Sequence, residues 1–139
     1  MVPSLRLDRA RPDVAELADM LARFWLPDET VLYIGKAGTS LRSRVGQLYR
    51  HVLGEPKPHC GGSWMKATSV LTTCTVFWAC TKTPEDDETV LLREFMARVS
   101  DDSRRSLQDP ELPLPFANLE FRFDGTKLLK KHGLSAWKR

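Results

Sequence analysis

The stretch YIGKAGTSLRSRVGQLYR, residues 33–50, gathers the groups in this chain best suited to phosphate chemistry. A short β-type run, TVLYIG (30–35), ends at a glycine, and the small-residue turn KAGTS (36–40) leads at once into a helix expected from about 40 to 53. Ser40 suits the N-cap of that helix. A helix start leaves backbone N–H groups unpaired and carries partial positive charge, both of which attract a phosphate, and Lys36 stands in the turn beside it. The expected apolar stripe is Leu41, Val45, Leu48 and Val52. At roughly 100° per residue, Arg50 points away from that stripe, Arg44 lies about 70° from its centre, and Arg42 falls at the other rim. A guanidinium at the rim can lean over a cleft and grip phosphoryl oxygens. A Walker A loop is excluded, because Lys36 precedes Gly38 instead of following it. Taken alone, these residues would better describe a core or sheet-edge tyrosine and a solvated arginine face.

The elements that must position this stretch follow from periodicity. Residues 12–25 read as an amphipathic helix, with Pro12, Asp13 and Glu16 at its start and Pro27 beyond its end. GEPKPHCGGS (54–63) reads as loop, and VLTTCTVFWACT (70–81) gives the strongest strand signal. A further helix is expected over 84–100, with Pro84 first and Glu85, Asp86 and Asp87 in its opening turn, and a short helical continuation over 101–109. A Pro-punctuated loop (109–118) precedes a final strand, LEFRF (119–123). The order predicts one α/β domain of the α+β type over residues 1–139. Its small three-stranded, largely antiparallel sheet would be flanked by helices, with an extra helix near the N-terminus.

Composition is that of a globular chain: 139 residues, 42% hydrophobic, 28% charged and a net charge of +3. No apolar run is long enough to span a bilayer and no secretory leader is evident, so the expectation is a cytoplasmic protein without a membrane partner. Cys60, Cys74 and Cys80 form no C-x-x-C pair, and zinc would need ligands that are not evident. Cys74 and Cys80, six apart in a β-like run, share a face without meeting. Positive charge concentrates in 36–57 and in the tail, at Lys127, Lys130, Lys131, Lys138 and Arg139, whereas 84–102 is acidic. Such a division can hold a nucleic-acid backbone and still offer carboxylates to a metal.

YIG at 33–35, then Lys36, then L-R-x-R ending at Arg44, closely resembles the second half of the GIY-YIG nuclease signature. The helix VLLREFMAR (90–98) is similar to the family helix that presents a metal-binding glutamate, here Glu94. LPFANLEF (114–121) is similar to the late P-x-x-N motif, with Asn118 at the asparagine. The three matches keep family order across about residues 30–122, leaving 126–139 as a basic tail. The resemblance implies an endonuclease hydrolysing DNA phosphodiester bonds in repair, restriction or mobile-element processing, with one Mg²⁺ or Mn²⁺ held by Glu94. Arg44 and Lys36 would stabilise phosphoryl charge, and Tyr33 would position or deprotonate water with its pKa lowered by those cations. Asn118 would brace the site, while Arg42, Tyr49 and His59 would contact DNA.

The first signature element has no counterpart, since the only tyrosines are Tyr33 and Tyr49. The strand that should carry it is expected at PSLRL (3–7), with Arg6 or Leu7 near the missing tyrosine and helix 12–25 as an insertion. Two rivals follow: a catalytically weak nucleic-acid-binding module on the same scaffold, and a protein-interaction domain with an incidental YIG. Monomer and homodimer stand as equal expectations.

Overall fold

A computed structural model describes residues 5–53 and 60–136. Among the described residues the architecture is α+β, with five α-helices, one 3-10 turn and two separate two-stranded antiparallel sheets. The elements are β1 (Leu5–Leu7), α1 (Val14–Ala22), α2 (Leu41–Arg50), α3 (Cys60–Ala67), the 3-10 turn Val70–Thr73, α4 (Pro84–Arg98), α5 (Asp101–Ser106), β2 (Glu120–Phe123), β3 (Thr126–Leu129) and β4 (Leu134–Ala136).

α1 begins with a full capping box. The Asp13 side chain accepts from the Glu16 N–H at 2.8 Å, and Glu16 returns the bond to the Asp13 N–H at 2.9 Å. The helix ends at Ala22, three residues short of the expected limit, yet Phe24 and Leu26 beyond it remain buried. Trp64 of α3 is the centre of the main core. Its ring meets Phe24 and Phe116 edge-on, each at 5.3 Å between centroids. α4 buries Leu92 and Phe95 in two smaller clusters, and Ile34 packs against both.

The expected three-stranded sheet does not form, and the reasons are local. Residues 70–81 were expected as strand, but Ser69 sits in the left-handed region (φ 60°) and Val70–Thr73 turns as a 3-10 helix. Thr73 donates its hydroxyl to the Val70 carbonyl at 2.8 Å and Cys74 its thiol to the same oxygen at 3.2 Å. Side-chain bonds of this kind compete with a strand ladder, and burial of Leu71 secures the turn. Among the described residues the 30–35 segment also lacks a strand neighbour, because the loop before β2 bonds to its backbone. The final strand expected at 119–123 forms as Glu120–Phe123, and β3 is its partner through the Asp124–Gly125 turn. Both turn residues have positive φ, 49° and 73°, the requirement of a tight type I′ hairpin.

Other boundaries also shift. α2 stops at Arg50, where Lys66 donates to the Tyr49 carbonyl at 2.7 Å and to the His51 carbonyl, so Val52 is exposed and off the stripe. Leu41 is exposed as well, leaving Leu48 as the buried member. The loop expected over 54–63 is helical from Cys60 onward. A Cβ on Gly62 would meet Leu48 Cδ1 and His51 Cβ at 3.3 Å, so the glycine lets α3 lie close against α2. The strand expected at 3–7 exists as Leu5–Leu7, but it pairs with β4 and not with the YIG segment. The described part of the basic tail is folded against the domain: Lys127 lies 2.7 Å from Glu120, and Lys130 is only 5% exposed. Lys138, Arg139 and His59 fall outside the described residues.

Candidate functional site

Tyr33, Ile34 and Gly35 owe their placement to a side chain 84 residues away. Asn118 Oδ1 accepts from the Ile34 N–H at 2.9 Å, and Asn118 Nδ2 donates to the Ile34 carbonyl at 2.7 Å. A carboxamide carries one acceptor and one donor group, so it satisfies both polar groups of a peptide residue as a strand neighbour would. The Ala117 N–H adds a bond to the Leu32 carbonyl at 2.8 Å. Asn118 is buried in the prolyl loop, with its own N–H donated to the Pro115 carbonyl at 3.0 Å. Asn118 thus holds the segment bearing Tyr33 by a pair of hydrogen bonds.

Gly35 is required by contact, not by backbone angle. A Cβ there would lie 2.4 Å from Tyr33 Oη, because the phenol ring folds back over residue 35. In that pose Tyr33 Oη accepts from Arg44 Nη2 at 3.2 Å. Arg44 also donates from Nη1 to Gln47 Oε1 at 3.4 Å, while its Nε is buried with no hydrogen-bond partner among the described residues. Arg44 therefore stands at the rim of α2 as its angular position implied, and Arg42 is exposed on the same helix.

Lys36 faces α4, with Nζ 3.3 Å from Glu88 Oε2 and 3.6 Å from Glu85 Oε1. The two carboxylates are one turn apart, and the Glu88 side chain is 23% exposed. The Glu88 charge also acts on Tyr33, which places it electrostatically beside the Tyr33–Arg44 pair. Glu94 does not join them. It is six residues further along α4, about 240° around the axis, and its 63% exposed side chain pairs with Arg98 at 3.8 Å. The carboxylate brought to this site is Glu88 in place of the expected Glu94. Sequence carried the signal: Glu88 precedes the buried Leu92 by one turn, whereas Glu94 is off the face of Leu92 and Phe95.

The Tyr33 phenol also departs from expectation. Burial pushes its pKa up, and the negative charges of Glu88 and Glu120 act in the same direction, outweighing the opposing pull of Arg44. Tyr33 is consequently a neutral hydroxyl at neutral pH. Tyr49 lies elsewhere, its hydroxyl donated to the Leu71 carbonyl at 3.4 Å. His51 is completely buried, with Nε2 2.6 Å from Ser63 Oγ, and joins α2 to α3.

Among the described residues no three His, Cys, Asp or Glu side chains cluster as a ready-made metal cage. Glu88 with Glu85 offers what a hard, oxygen-preferring ion such as Mg²⁺ takes, one or two carboxylates with water completing the shell. Lys36 at present pairs with both carboxylates and leaves one net negative charge among the three groups. No helix among the described residues is long and apolar enough to cross a membrane. Compared with family models, curated protein sequences and solved structures, the chain matches none.

Proposed function

We propose that the protein is a divalent-metal-dependent endonuclease of the GIY-YIG type, hydrolysing DNA phosphodiester bonds. The observation that carries this reading is the assembly of Tyr33, Lys36, Arg44 and Glu88 around one short segment pinned by Asn118. Arg44 receives the phosphoryl oxygens through its guanidinium donors and stabilises charge as it builds there. Lys36 moves from Glu88 to the incoming phosphate. Glu88, assisted by Glu85, would hold Mg²⁺ or Mn²⁺, and the ion would supply Lewis-acid stabilisation of the leaving oxygen. Tyr33, neutral because it is buried, orients the attacking water by hydrogen bonding and does not deprotonate it.

A second reading, a catalytically weak nucleic-acid-binding module, draws support from that same raised Tyr33 pKa. Supercoiled-plasmid nicking in Mg²⁺, Mn²⁺ or EDTA separates the two. The nuclease reading expects metal-dependent nicking, reduced on the order of 100-fold or more by Arg44→Ala and by Glu88→Gln, as when a charge-stabilising group is lost. Glu94→Gln should cut within about twofold of the parent, since its partner is only the solvated Arg98. Nicking by Glu88→Gln at the parental rate would sink the site. Salt-sensitive DNA binding without cleavage would select the binding module.

A further inference from the structure

From Thr75 to Cys80 the chain is neither turned nor bent, and none of its backbone N–H or carbonyl groups is hydrogen-bonded within the described residues. The run is strongly β-prone and its side chains stand in solvent: Phe77 is 90% and Trp78 67% exposed. An exposed, apolar, unpaired segment is a template for strand addition. The obvious partner in the same chain is already engaged, because residues 32 and 34 bond to Ala117 and Asn118.

The sequence identifies what fits. Residues 74–80, CTVFWAC, nearly mirror themselves about Phe77. We propose that this segment pairs antiparallel with the same segment of a second copy of the chain, about a two-fold axis at Phe77. Phe77 then faces its symmetry mate, Val76 faces Trp78, Thr75 faces Ala79, and Cys74 faces Cys80. Aromatic–aromatic and aromatic–β-branched pairs are the favourable cross-strand combinations, and no like charges oppose each other. A symmetric interface demands this self-complementarity. A nucleic-acid strand suits the surface less well, since the run from Val70 to Thr81 carries no cation to hold a phosphate backbone. A seven-residue strand pair falls below the roughly 1,200 Å² of total burial typical of stable interfaces, so the dimer is concentration-dependent. The pairing does not rest on the nuclease reading.

The register is testable because opposed Cα atoms in an antiparallel pair lie about 4.5–5.5 Å apart, inside the disulfide range of about 4.4–6.8 Å. In a Cys60→Ser background, copper–phenanthroline oxidation removes two electrons and two protons per thiol pair. It is expected to give a covalent dimer on a non-reducing gel. Adding Cys74→Ser or Cys80→Ser abolishes the cross-link in either variant alone. Mixing the two variants restores one, because Cys80 of the first faces Cys74 of the second. Light scattering across a dilution series of the full chain is expected to show mass rising toward a dimer, and Phe77→Glu, which sets two carboxylates face to face, to hold it at monomer. Phe77 is exposed, so circular dichroism should confirm that this variant folds. A monomer at every soluble concentration, cross-linking that survives in a single serine variant, or a Phe77→Glu protein that still dimerises but loses DNA binding would each overturn the proposal.

Discussion

Raising the pH from about 7 to about 9 should stabilise this protein through Lys130. The ammonium is enclosed, donating to the Pro115 carbonyl at 3.1 Å and the Phe116 carbonyl at 3.0 Å, with the rings of Trp64 and Phe24 at 5.0 and 5.7 Å. Desolvation lowers its pKa from 10.5 to about 7, against a weaker opposing pull from Asp109. Because the folded value is the lower one, the associated stability is complete above about pH 10.5 and is lost as pH falls toward about 7. Through that window the unfolded chain keeps a proton that the native state sheds, and each pH unit is worth up to about 1.4 kcal/mol. Integrated from about pH 7 to about pH 9, the gain is about 2 kcal/mol. Lys130→Met should abolish the rise. At neutral pH the variant's relief from charge burial, about 4 kcal/mol, is offset by two carbonyls left without a donor at roughly 1–3 kcal/mol each. The variant should therefore be near parental stability at pH 7 and clearly weaker at pH 9. Urea titrations followed by tryptophan fluorescence measure this, provided the m-values agree. The partly buried Cys74 thiol, raised by desolvation, acts oppositely in both proteins, so the difference between them isolates Lys130. An equal pH slope in parent and variant would refute the reasoning.

On the acid side, burial and the neighbouring Lys130 charge lower the His132 pKa from 6.5 to about 4, and its Nδ1 accepts from the Leu134 N–H at 3.0 Å. Stability from this group is full above about pH 6.5 and lost as pH falls toward about 4, so His132→Leu should flatten the acid limb of the urea midpoint. Asn118→Leu orphans both backbone groups of Ile34, a cost of about 2–5 kcal/mol, and should abolish nicking; Asn118→Asp, which keeps the acceptor, should lose less in a thermal melt. Gly35→Ala displaces the Tyr33 ring, so its nicking rate should fall at least as far as that of Tyr33→Phe, with little change in melting temperature. A near-parental Gly35→Ala rate would mean that the ring pose is immaterial.

Much of this was readable in the sequence where local rules decide the outcome. α1, α4 and α5 follow from caps, a proline at the helix start and apolar spacing. The place of Arg44 at the rim of α2 follows from counting around that helix, and the structure adds its contact with Tyr33. What sequence hid depends on distant partners. An asparagine standing in for a strand neighbour has no signature of its own, so 30–35 read as an ordinary strand. α3 was obscured because Gly61 and Gly62 read as loop, when Gly62 serves the close approach to α2. Glu88 follows directly on three first-turn acids that the helix dipole already explains, and the motif spacing points to Glu94 instead. The Asp124–Gly125 hairpin was available from its dipeptide, but the following lysines read as a solvated tail.

The pairing of β1 with β4 sets an order of events. Leu5 faces Ala136, so this ladder joins positions separated by nearly the whole chain. Formed first, it would close a loop at about 4 kcal/mol of chain entropy beyond the constant term, for three residue pairs in return. Formed after the Trp64 core has gathered the chain, it costs far less. The ladder is accordingly expected to close late and open early, and its amides should exchange with solvent well ahead of those in α3 and α4.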